Sequence, residues 1–176
     1  YNRAPDAFVI TRAIACFERS LLSGNSPYDQ YIKNNNTNAM TDAQIRGMNL
    51  FFSDRTNCST CHSGFNFTNY AFENNGLYIQ YADIGRMRLT LKEEDMALFK
   101  VPGLRNIEMT GPYMHDGSIQ TLQQVIDYYQ SGGMDHPHKN PILKPLDLTT
   151  PEQKDLIEFL KALTDDTFLT NPIFKY

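Results

Sequence analysis

The sequence contains no tryptophan and only three cysteines among its 176 residues. So few cysteines exclude the dense disulfide framework of a small secreted domain. No stretch approaches the roughly 18 consecutive apolar residues of a transmembrane helix, so we expect no membrane span. The formal net charge of −4 gives no basic surface, and nucleic-acid binding is not expected either. These absences leave one domain, residues 1–176, with enough apolar side chains for a core.

Two of the three cysteines lie together in the segment Cys58-Ser59-Thr60-Cys61-His62. At this spacing both thiols fall on one side of a helical turn, where they can bond to the vinyl groups of one haem, and the next imidazole can bind its iron. A zinc site would need a second pair of ligands, and the sequence has no second pair of cysteines. We therefore interpret Cys58, Cys61 and His62 as the attachment site of one covalent haem c, with His62 as the proximal iron ligand.

The haem prediction also bears on where the protein works. Covalent haem attachment in bacteria takes place on the periplasmic side of the membrane, so the predicted location is the periplasm. A chain that begins at Tyr1 instead of methionine is expected to have been processed or cut. The third cysteine, Cys16, lies between Ala15 and Phe17 and is interpreted as a buried small apolar residue.

Helical signals dominate the rest of the chain. Apolar residues recur at helical spacing in four segments, which are residues 6–22, 41–52, 121–131 and 150–163. Three of these segments begin with a predicted capping box, formed by the pairs Thr41 and Gln44, Thr121 and Gln124, and Thr150 and Gln153. Residues 26–38 and 64–91 are rich in turn formers and are predicted to be loops, the second with a short hairpin at Asn75-Gly76. The predicted fold class is all-α, a cytochrome c-like haem domain with long irregular loops.

Three further segments accompany the haem motif, and they read FERSLLSGNSPYD at 17–29, FKVPGLRN at 99–106 and TGPYMHDG at 110–117. In this order and spacing the four segments resemble the C-terminal haem domain of the bacterial di-haem cytochrome c peroxidase and MauG superfamily. The resemblance implies an oxidoreductase that uses hydrogen peroxide as oxidant. It also implies a second, N-terminal haem domain outside this sequence, which would contain the family's inter-haem tryptophan and the peroxide-reacting haem.

The role implied for this chain is electron transfer. The resemblance assigns it a relay between that peroxide-reacting haem and a redox protein partner, which is either an electron donor or an oxidised protein substrate. No residue of this chain is then expected to be catalytic. Because the chain has a single haem motif, the alternative is a mono-haem electron-carrier cytochrome c, stand-alone or a subunit, without peroxidase activity.

The same resemblance implies a distal haem ligand at the position that follows His115 by fourteen residues, which is Tyr129. Peroxidases carry methionine there and MauG-like proteins carry tyrosine. Tyr129 shares a predicted helix face with Ile126, whereas Tyr128 points about 100° away. An anionic phenolate favours ferric iron, so Tyr129 predicts a haem of low potential.

Two alternatives to Tyr129 as a ligand remain open at this point. Tyr129 could be a core tyrosine whose hydroxyl bonds to the backbone. Met134 is then the chief rival ligand, with Met114 behind it. The pair His136 and His138 lies astride a proline and is interpreted as exposed to solvent and not as a metal site.

The resemblance implies roles for four more residues. Arg105 matches a propionate-binding arginine, and a surface arginine is the alternative. Thr110 and Pro112 match positions whose backbone carbonyls help to bind a calcium ion between domains, so calcium is a possible second cofactor. His115 is expected to hydrogen-bond near the haem without binding iron, with a solvent-facing histidine as the alternative.

Overall fold

The computed structural model describes residues 4–174, which form eight α-helices and two short strands. The helices are α1 (Ala7–Ser20), α2 (Pro27–Lys33), α3 (Asp42–Phe51), α4 (Cys58–Cys61), α5 (Met87–Thr90), α6 (Leu122–Ser131), α7 (Thr150–Lys161) and α8 (Asp166–Leu169). The strands are β1 (Phe72–Glu73) and β2 (Phe99–Lys100), and single 3-10 turns span Glu93–Asp95, Ile107–Met109 and Pro172–Phe174. The predicted all-α class with long irregular connections is confirmed.

Helix α1 confirms the helix predicted over residues 6–22, and the Asp6 side chain caps it by accepting a hydrogen bond from the Val9 N–H. None of its residues is buried. The prediction of a buried Cys16 is wrong, because α1 contributes no residue to the core clusters found in residues 4–174 and Cys16 is exposed.

The loop predicted over residues 26–38 is wrong in its first half, where α2 forms. The Ser26 hydroxyl accepts from the Asp29 N–H, the Asp29 carboxylate accepts from the Ser26 N–H, and Pro27 opens the helix. This is a capping box with proline at the first helical position, where its missing N–H costs nothing. The helix is short, and its Asp29 is buried against a distant arginine, which the local sequence does not reveal.

The predicted capping boxes at Thr41 and Thr121 are confirmed, but the third lies one residue earlier than predicted. The cap of α7 is Thr149, and its partner is Glu152. The Glu152 carboxylate accepts from both the N–H and the hydroxyl of Thr149, at 2.8 and 2.9 Å. An ionised carboxylate accepts hydrogen bonds more strongly than a neutral amide, which favours Glu152 over Gln153.

The main core packs α3 against α7, with α6 beside them. Its buried members include Phe51 of α3, Ile126 of α6 and Phe159 of α7. Gly47 allows the close contact, because a Cβ there would lie 1.9 Å from the Asp155 carbonyl oxygen. This packing fixes the end of α3, which precedes the haem motif, and the end of α6, which carries Tyr129.

A second, smaller cluster lies within the loops between α4 and α6. It consists of Leu77, Tyr81 and Ala97, with partly buried neighbours that include Met114 and Tyr128. The predicted hairpin at Asn75-Gly76 is wrong, because β1 pairs instead with the distant β2. The Asn75-Gly76 segment forms a turn at the end of α6. Within residues 4–174 no helix is both long and apolar enough to cross a membrane.

Candidate haem site

The haem motif folds as one helical turn. Helix α4 begins after Asn57, whose φ of 53° reverses the chain, and the His62 N–H closes the turn on the Cys58 carbonyl oxygen at 2.9 Å. Both thiols are free and partly buried, so neither is lost to a disulfide. The turn therefore presents two thiols and the following imidazole from a single short element, as covalent attachment of one haem requires.

The His62 ring is held by two backbone carbonyls. Its Nδ1 lies 3.1 Å from the Phe67 oxygen and 3.2 Å from the Pro102 oxygen. Because carbonyl oxygens only accept hydrogen bonds, Nδ1 carries the proton and Nε2 keeps its lone pair. Burial lowers the pKa of His62, although the two carbonyl bonds raise it, so the imidazole is neutral as a metal ligand must be.

A cavity of about 330 Å³ opens beside His62. Aromatic side chains form much of its wall, including Tyr28, Phe52 and Phe67, and the charged side chains of Asp29, Lys33 and Arg105 also line it. The guanidinium predicted to bind a propionate therefore lines the same cavity as the predicted proximal ligand. A largely aromatic wall with two cations, Lys33 and Arg105, suits a flat apolar ring that carries carboxylates.

Arg105 also forms a buried ion pair. Its Nη1 and Nη2 bind the two carboxylate oxygens of Asp29 at 2.7 and 3.0 Å, and its Nε donates to the Phe65 carbonyl oxygen. Burial alone would raise the pKa of Asp29, but hydrogen bonds from Arg105, Ser26 and Lys33 outweigh burial and hold it well below its usual value. Three of the five guanidinium N–H groups are thus engaged within residues 4–174, which leaves two that can donate to another acceptor.

Tyr129 lies close to the haem motif. Burial raises the pKa of its phenol, a hydrogen bond with the Asn75 side chain lowers it, and the nearby thiols of Cys58 and Cys61 raise it again. Tyr128, by contrast, donates its hydroxyl to the Asn75 carbonyl oxygen at 2.7 Å. Of this pair, Tyr128 is the one whose hydroxyl bonds to the backbone.

The two candidate methionines occupy different environments. Met114 is partly buried, and its sulfur lies 3.4 Å from the Asn75 Nδ2. Met134 is exposed, and its N–H donates to the Gly76 carbonyl oxygen. Of the two thioethers, Met114 is therefore the one that is partly buried and accepts a hydrogen bond.

Thr110 and Pro112 lie on an exposed loop, and His115 is exposed beside it, stacked on Phe99 with 3.8 Å between ring centroids. Among residues 4–174 no group of three His, Cys, Asp or Glu side chains could hold a metal ion, so a cation here would depend on backbone oxygens.

The prediction that His136 and His138 face solvent is wrong, because both are partly buried in the second cluster's surroundings. Nδ1 of His136 lies 3.3 Å from Nδ2 of Asn74, and Nδ1 of His138 lies 3.0 Å from the Met96 oxygen. The two rings attach the proline-rich loop to the second cluster.

Comparisons with known proteins decide the family. The chain is 36% identical over 156 residues to the methylamine utilization protein MauG of Methylorubrum extorquens, across 88% of this chain and 43% of that protein. It is 41% identical over 124 residues to the cytochrome c peroxidase Ccp of Escherichia coli, across 66% of this chain and 26% of that protein. This chain belongs to the MauG and cytochrome c peroxidase superfamily.

The superfamily assignment extends to the fold. A crystal structure of a MauG-like protein associated with microbial copper homeostasis has 33% sequence identity and a TM-score of 0.86, over 99% of this chain and 58% of that chain. No family model matches the sequence. The chain spans about half the length of several curated MauG and peroxidase relatives that it matches.

Sequence analysis missed two residues of this MauG and peroxidase-like site. Asp29 was assigned to a loop, and its pairing with Arg105 joins positions 76 residues apart, for which no local pattern exists. The sequence marks Asn75 only as a turn former, whereas its side-chain amide also donates to the Met114 sulfur.

Proposed function

We propose that this chain is an electron-transferring c-type haem domain of a di-haem cytochrome c peroxidase or MauG-like oxidoreductase. In this proposal it corresponds to the C-terminal half of the enzyme and relays electrons between a redox protein partner and a peroxide-reacting haem in a second haem domain. Hydrogen peroxide is the oxidant, and the partner is either an electron donor or a protein that becomes oxidised. The enzyme works in the periplasm.

The observation that carries this proposal is the environment of His62. Its proton is fixed on Nδ1 by the carbonyl oxygens of Phe67 and Pro102, which leaves Nε2 free directly after the Cys58 and Cys61 turn. A hydrogen-bonded second nitrogen is the usual support for a metal-binding histidine, because it fixes both the tautomer and the ring orientation. A surface histidine without a ligand needs no such pair of carbonyls.

Each side chain of the site then has a defined task. When bound, a haem supplies an iron that alternates between ferric and ferrous states. Cys58 and Cys61 would anchor it, and His62 and Tyr129 would be its iron ligands. Since a phenolate stabilises ferric iron, Tyr129 keeps the potential low. The two remaining N–H groups of Arg105 bind a propionate.

We further propose that the carbonyl oxygens of Thr110 and Pro112 contribute to a calcium site shared with the second haem domain. Both residues lie on an exposed loop, which leaves their oxygens accessible to such a neighbour. Calcium prefers six to eight oxygen ligands, so the other ligands come from waters and from the adjoining domain.

The replacement Tyr129→Phe tests the ligand assignment. We expect the ferric holoprotein to change from low spin to high spin, because the sixth ligand is removed, and electron paramagnetic resonance measures this change. Tyr128→Phe is the matched control on the same helix and should stay low spin, since it loses only the bond to the Asn75 oxygen. An unchanged low-spin signal in Tyr129→Phe rules out its ligand role. His62→Ala should abolish the low-spin signal in either background.

The alternative function is a mono-haem electron carrier without peroxidase activity, and the single haem motif of the chain favours it. Intact mass and haem count of the protein isolated from its source separate the two. Two covalent haems and peroxide turnover support the di-haem enzyme. One haem and no turnover support the carrier.

A further inference from the structure

Two cations line the cavity beside His62, and the proposed function uses one of them. Arg105 is the propionate-binding residue in that function, and Lys33 lies in the last turn of α2. The same lining contains one carboxylate, that of Asp29. The wall therefore has one positive charge in excess, and such a wall attracts an anionic ligand.

Asp29 binds both cations at once. Its Oδ1 lies 3.0 Å from the Lys33 Nζ and 3.0 Å from the Arg105 Nη2, and its Oδ2 lies 2.7 Å from the Arg105 Nη1. The carboxylate is itself fixed in place, because it accepts from the Ser26 N–H and hydroxyl at 3.1 and 2.7 Å and is only 2% exposed. Lys33 and Arg105 are thereby held beside each other although they are far apart in sequence.

The Phe65 ring is a second contact that the two cations share. The Arg105 guanidinium carbon lies 4.1 Å from the ring centroid, and the Lys33 Nζ lies 4.8 Å from it. A cation over an aromatic ring within about 6 Å of its centroid is attracted by the negative face of the ring. The ring is confined by the backbone, since a Cβ at Gly24 would lie 3.1 Å from the Phe65 Cζ. Two long, flexible side chains therefore have a common support.

Both cations keep donors for a further acceptor. Lys33 has three N–H protons, and within residues 4–174 its ion pair with Asp29 engages one of them. Arg105 keeps two of its five. The Arg105 side chain is 8% exposed and that of Lys33 is 50% exposed, so the pair extends from the interior of the site to its solvent side. A carboxylate bound by both would accept charge-assisted hydrogen bonds, which are the strong kind.

The charge of the predicted cofactor calls for a second cation. A haem has two propionates, and burial of a carboxylate is costly unless it is paired. Arg105 already shares its charge with Asp29. We propose that Lys33 is a second propionate-binding residue of the haem site, and that Asp29 is the positioning residue that holds Lys33 and Arg105 side by side. This inference rests on the proposed function, in which the chain binds a haem.

The test is Lys33→Met in the haem-loaded holoprotein, which removes the ammonium group and keeps a long apolar side chain. Lys33→Arg restores a cation at the same position. The matched control is Lys161→Met, because Lys161 forms a similar ion pair with Glu158 of its own helix, is 39% exposed and lines a different cavity. The readouts are a one-electron potential titration and the propionate bending band in the resonance Raman spectrum, which responds to hydrogen bonds at the carboxylates.

We expect Lys33→Met to lower the ferrous-to-ferric preference about threefold, which is about 28 mV for one electron. The direction follows because loss of a nearby positive charge stabilises ferric iron. The propionate band should shift in the same variant, and Lys33→Arg should return both readouts to their wild-type values. Lys161→Met should leave both readouts unchanged.

Asp29→Asn tests the positioning role separately. Asparagine keeps the shape of the side chain but removes the charge that holds the two cations together. The potential should rise, because a negative charge is lost, and the propionate band should shift although both cations are still present. If Asp29→Asn does not take up haem, Asp29→Glu replaces it, since it keeps the charge and displaces the carboxylate by one methylene. A wild-type propionate band in the haem-loaded variant rejects the positioning role.

Three results at Lys33 overturn the inference. A potential and a propionate band that match those of Lys161→Met remove Lys33 from the haem site. A lowered potential with an unshifted band makes Lys33 a distant charge and not a propionate ligand. A band that shifts as far in Lys33→Arg as in Lys33→Met shows that the cation is not what the propionate needs.

Failure of the proposed function is recognised separately. Wild-type protein without covalent haem, as judged by mass after denaturation, contradicts the haem domain itself. Haem-loaded wild-type protein whose spectrum and potential are insensitive to the Lys33 and Asp29 variants contradicts this inference and leaves the haem domain intact.

Discussion

Two regions of the molecule are stabilised by different kinds of interaction. The helical region, built from α3, α6 and α7, is stabilised by a continuous apolar cluster around Phe159. The loop region between α4 and α6 has a small cluster around Ala97 and relies on side-chain amides that bind backbone groups. Asn74 is the clearest case, since its amide donates to the Ala97 oxygen and its Oδ1 accepts from the Gly76 N–H and the Tyr81 hydroxyl.

The candidate haem site lies where these regions meet. His62 is held by carbonyls of the loop region, and Tyr129 extends from a helix of the packed region. Asn75 connects the two, because its backbone binds Tyr128 of α6 and its side chain contacts Met114 of the loops. The packed helices therefore position the backbone of the candidate site, while hydrogen bonds from the loops fix the orientation of the His62 ring.

The largest effect is expected in the helical region, from Phe159→Ala. Phe159 is fully buried and packs against Phe51, at 5.1 Å between ring centroids. Truncation of a buried phenylalanine leaves a cavity and costs about 4 kcal/mol in the free energy of unfolding. Chemical denaturation of the holoprotein measures it. Leu89→Ala, at a side chain that is 85% exposed, should change stability by less than about 0.5 kcal/mol.

The next largest effect is expected from Arg105→Ala, at the ion pair that joins α2 to the loop region. Asp29 and Arg105 are 2% and 8% exposed, so removal of the guanidinium leaves the buried carboxylate with the half-exposed Lys33 as its cationic partner and costs about 3 kcal/mol. The folded-state pKa of Asp29 is depressed, so the pair stabilises the protein above the unfolded pKa near 4, and this contribution fades as pH falls. When unfolding is measured from pH 7 to pH 3, the variant should lose less stability over that range than the wild-type protein.

Arg46→Ala is the matched control for this ion pair. Arg46 binds Asp155 with the same two-pronged geometry, at 2.7 and 2.8 Å, but its side chain is 60% exposed. Exposed pairs contribute about 1 kcal/mol or less, because water screens the charges. Equal losses in the two variants would contradict the view that burial of the Asp29 pair gives it its strength.

A smaller and more local effect is expected from Asn74→Ala in the loop region. It leaves the Ala97 oxygen and the Gly76 N–H without their partner, at a cost of about 2 kcal/mol. Hydrogen exchange should accelerate in residues 74–81 and 97–100 while α7 stays protected, because the loops can open without the helices. Gln123→Ala, whose hydrogen bonds are exposed, should change neither rate. Faster exchange in α7 would show that the two regions unfold as one.

The sequence predicted the helical region better than the loop region, for a physical reason. Apolar periodicity and capping residues are local signals, and they located α1, α3 and α6 to within a residue or two. The loops are organised by contacts between distant positions, such as β1 with β2, and no short pattern encodes such a pairing. Turn formers at 75 and 76 therefore indicated a hairpin where the chain instead turns against α6.

The residues of the candidate site also differ in how well the local sequence predicts them. Cys58, Cys61 and His62 are adjacent in sequence, so their spacing alone predicts the haem chemistry. The choice of Tyr129 over Tyr128 came from a family resemblance and helix geometry, and it remains a prediction. The hydrogen bonds of Asn75 could not be predicted, because they depend on a turn placed by tertiary packing.

The smallest predicted effect, from Thr149→Ala, tests the one helix start that the sequence placed a residue too late. Thr149 accepts from the Glu152 N–H, and loss of such a cap costs about 1 kcal/mol. Thr150→Ala is the matched control and should cost nothing measurable, because Thr150 lies inside α7 and its hydroxyl caps no helix end. Denaturant midpoints of the two variants measure the difference. A larger loss of stability in Thr150→Ala would support the predicted pairing of Thr150 with Gln153. It would mean that local capping preference outweighs the hydrogen bonds that Arg55 and Thr149 make to the Glu152 carboxylate.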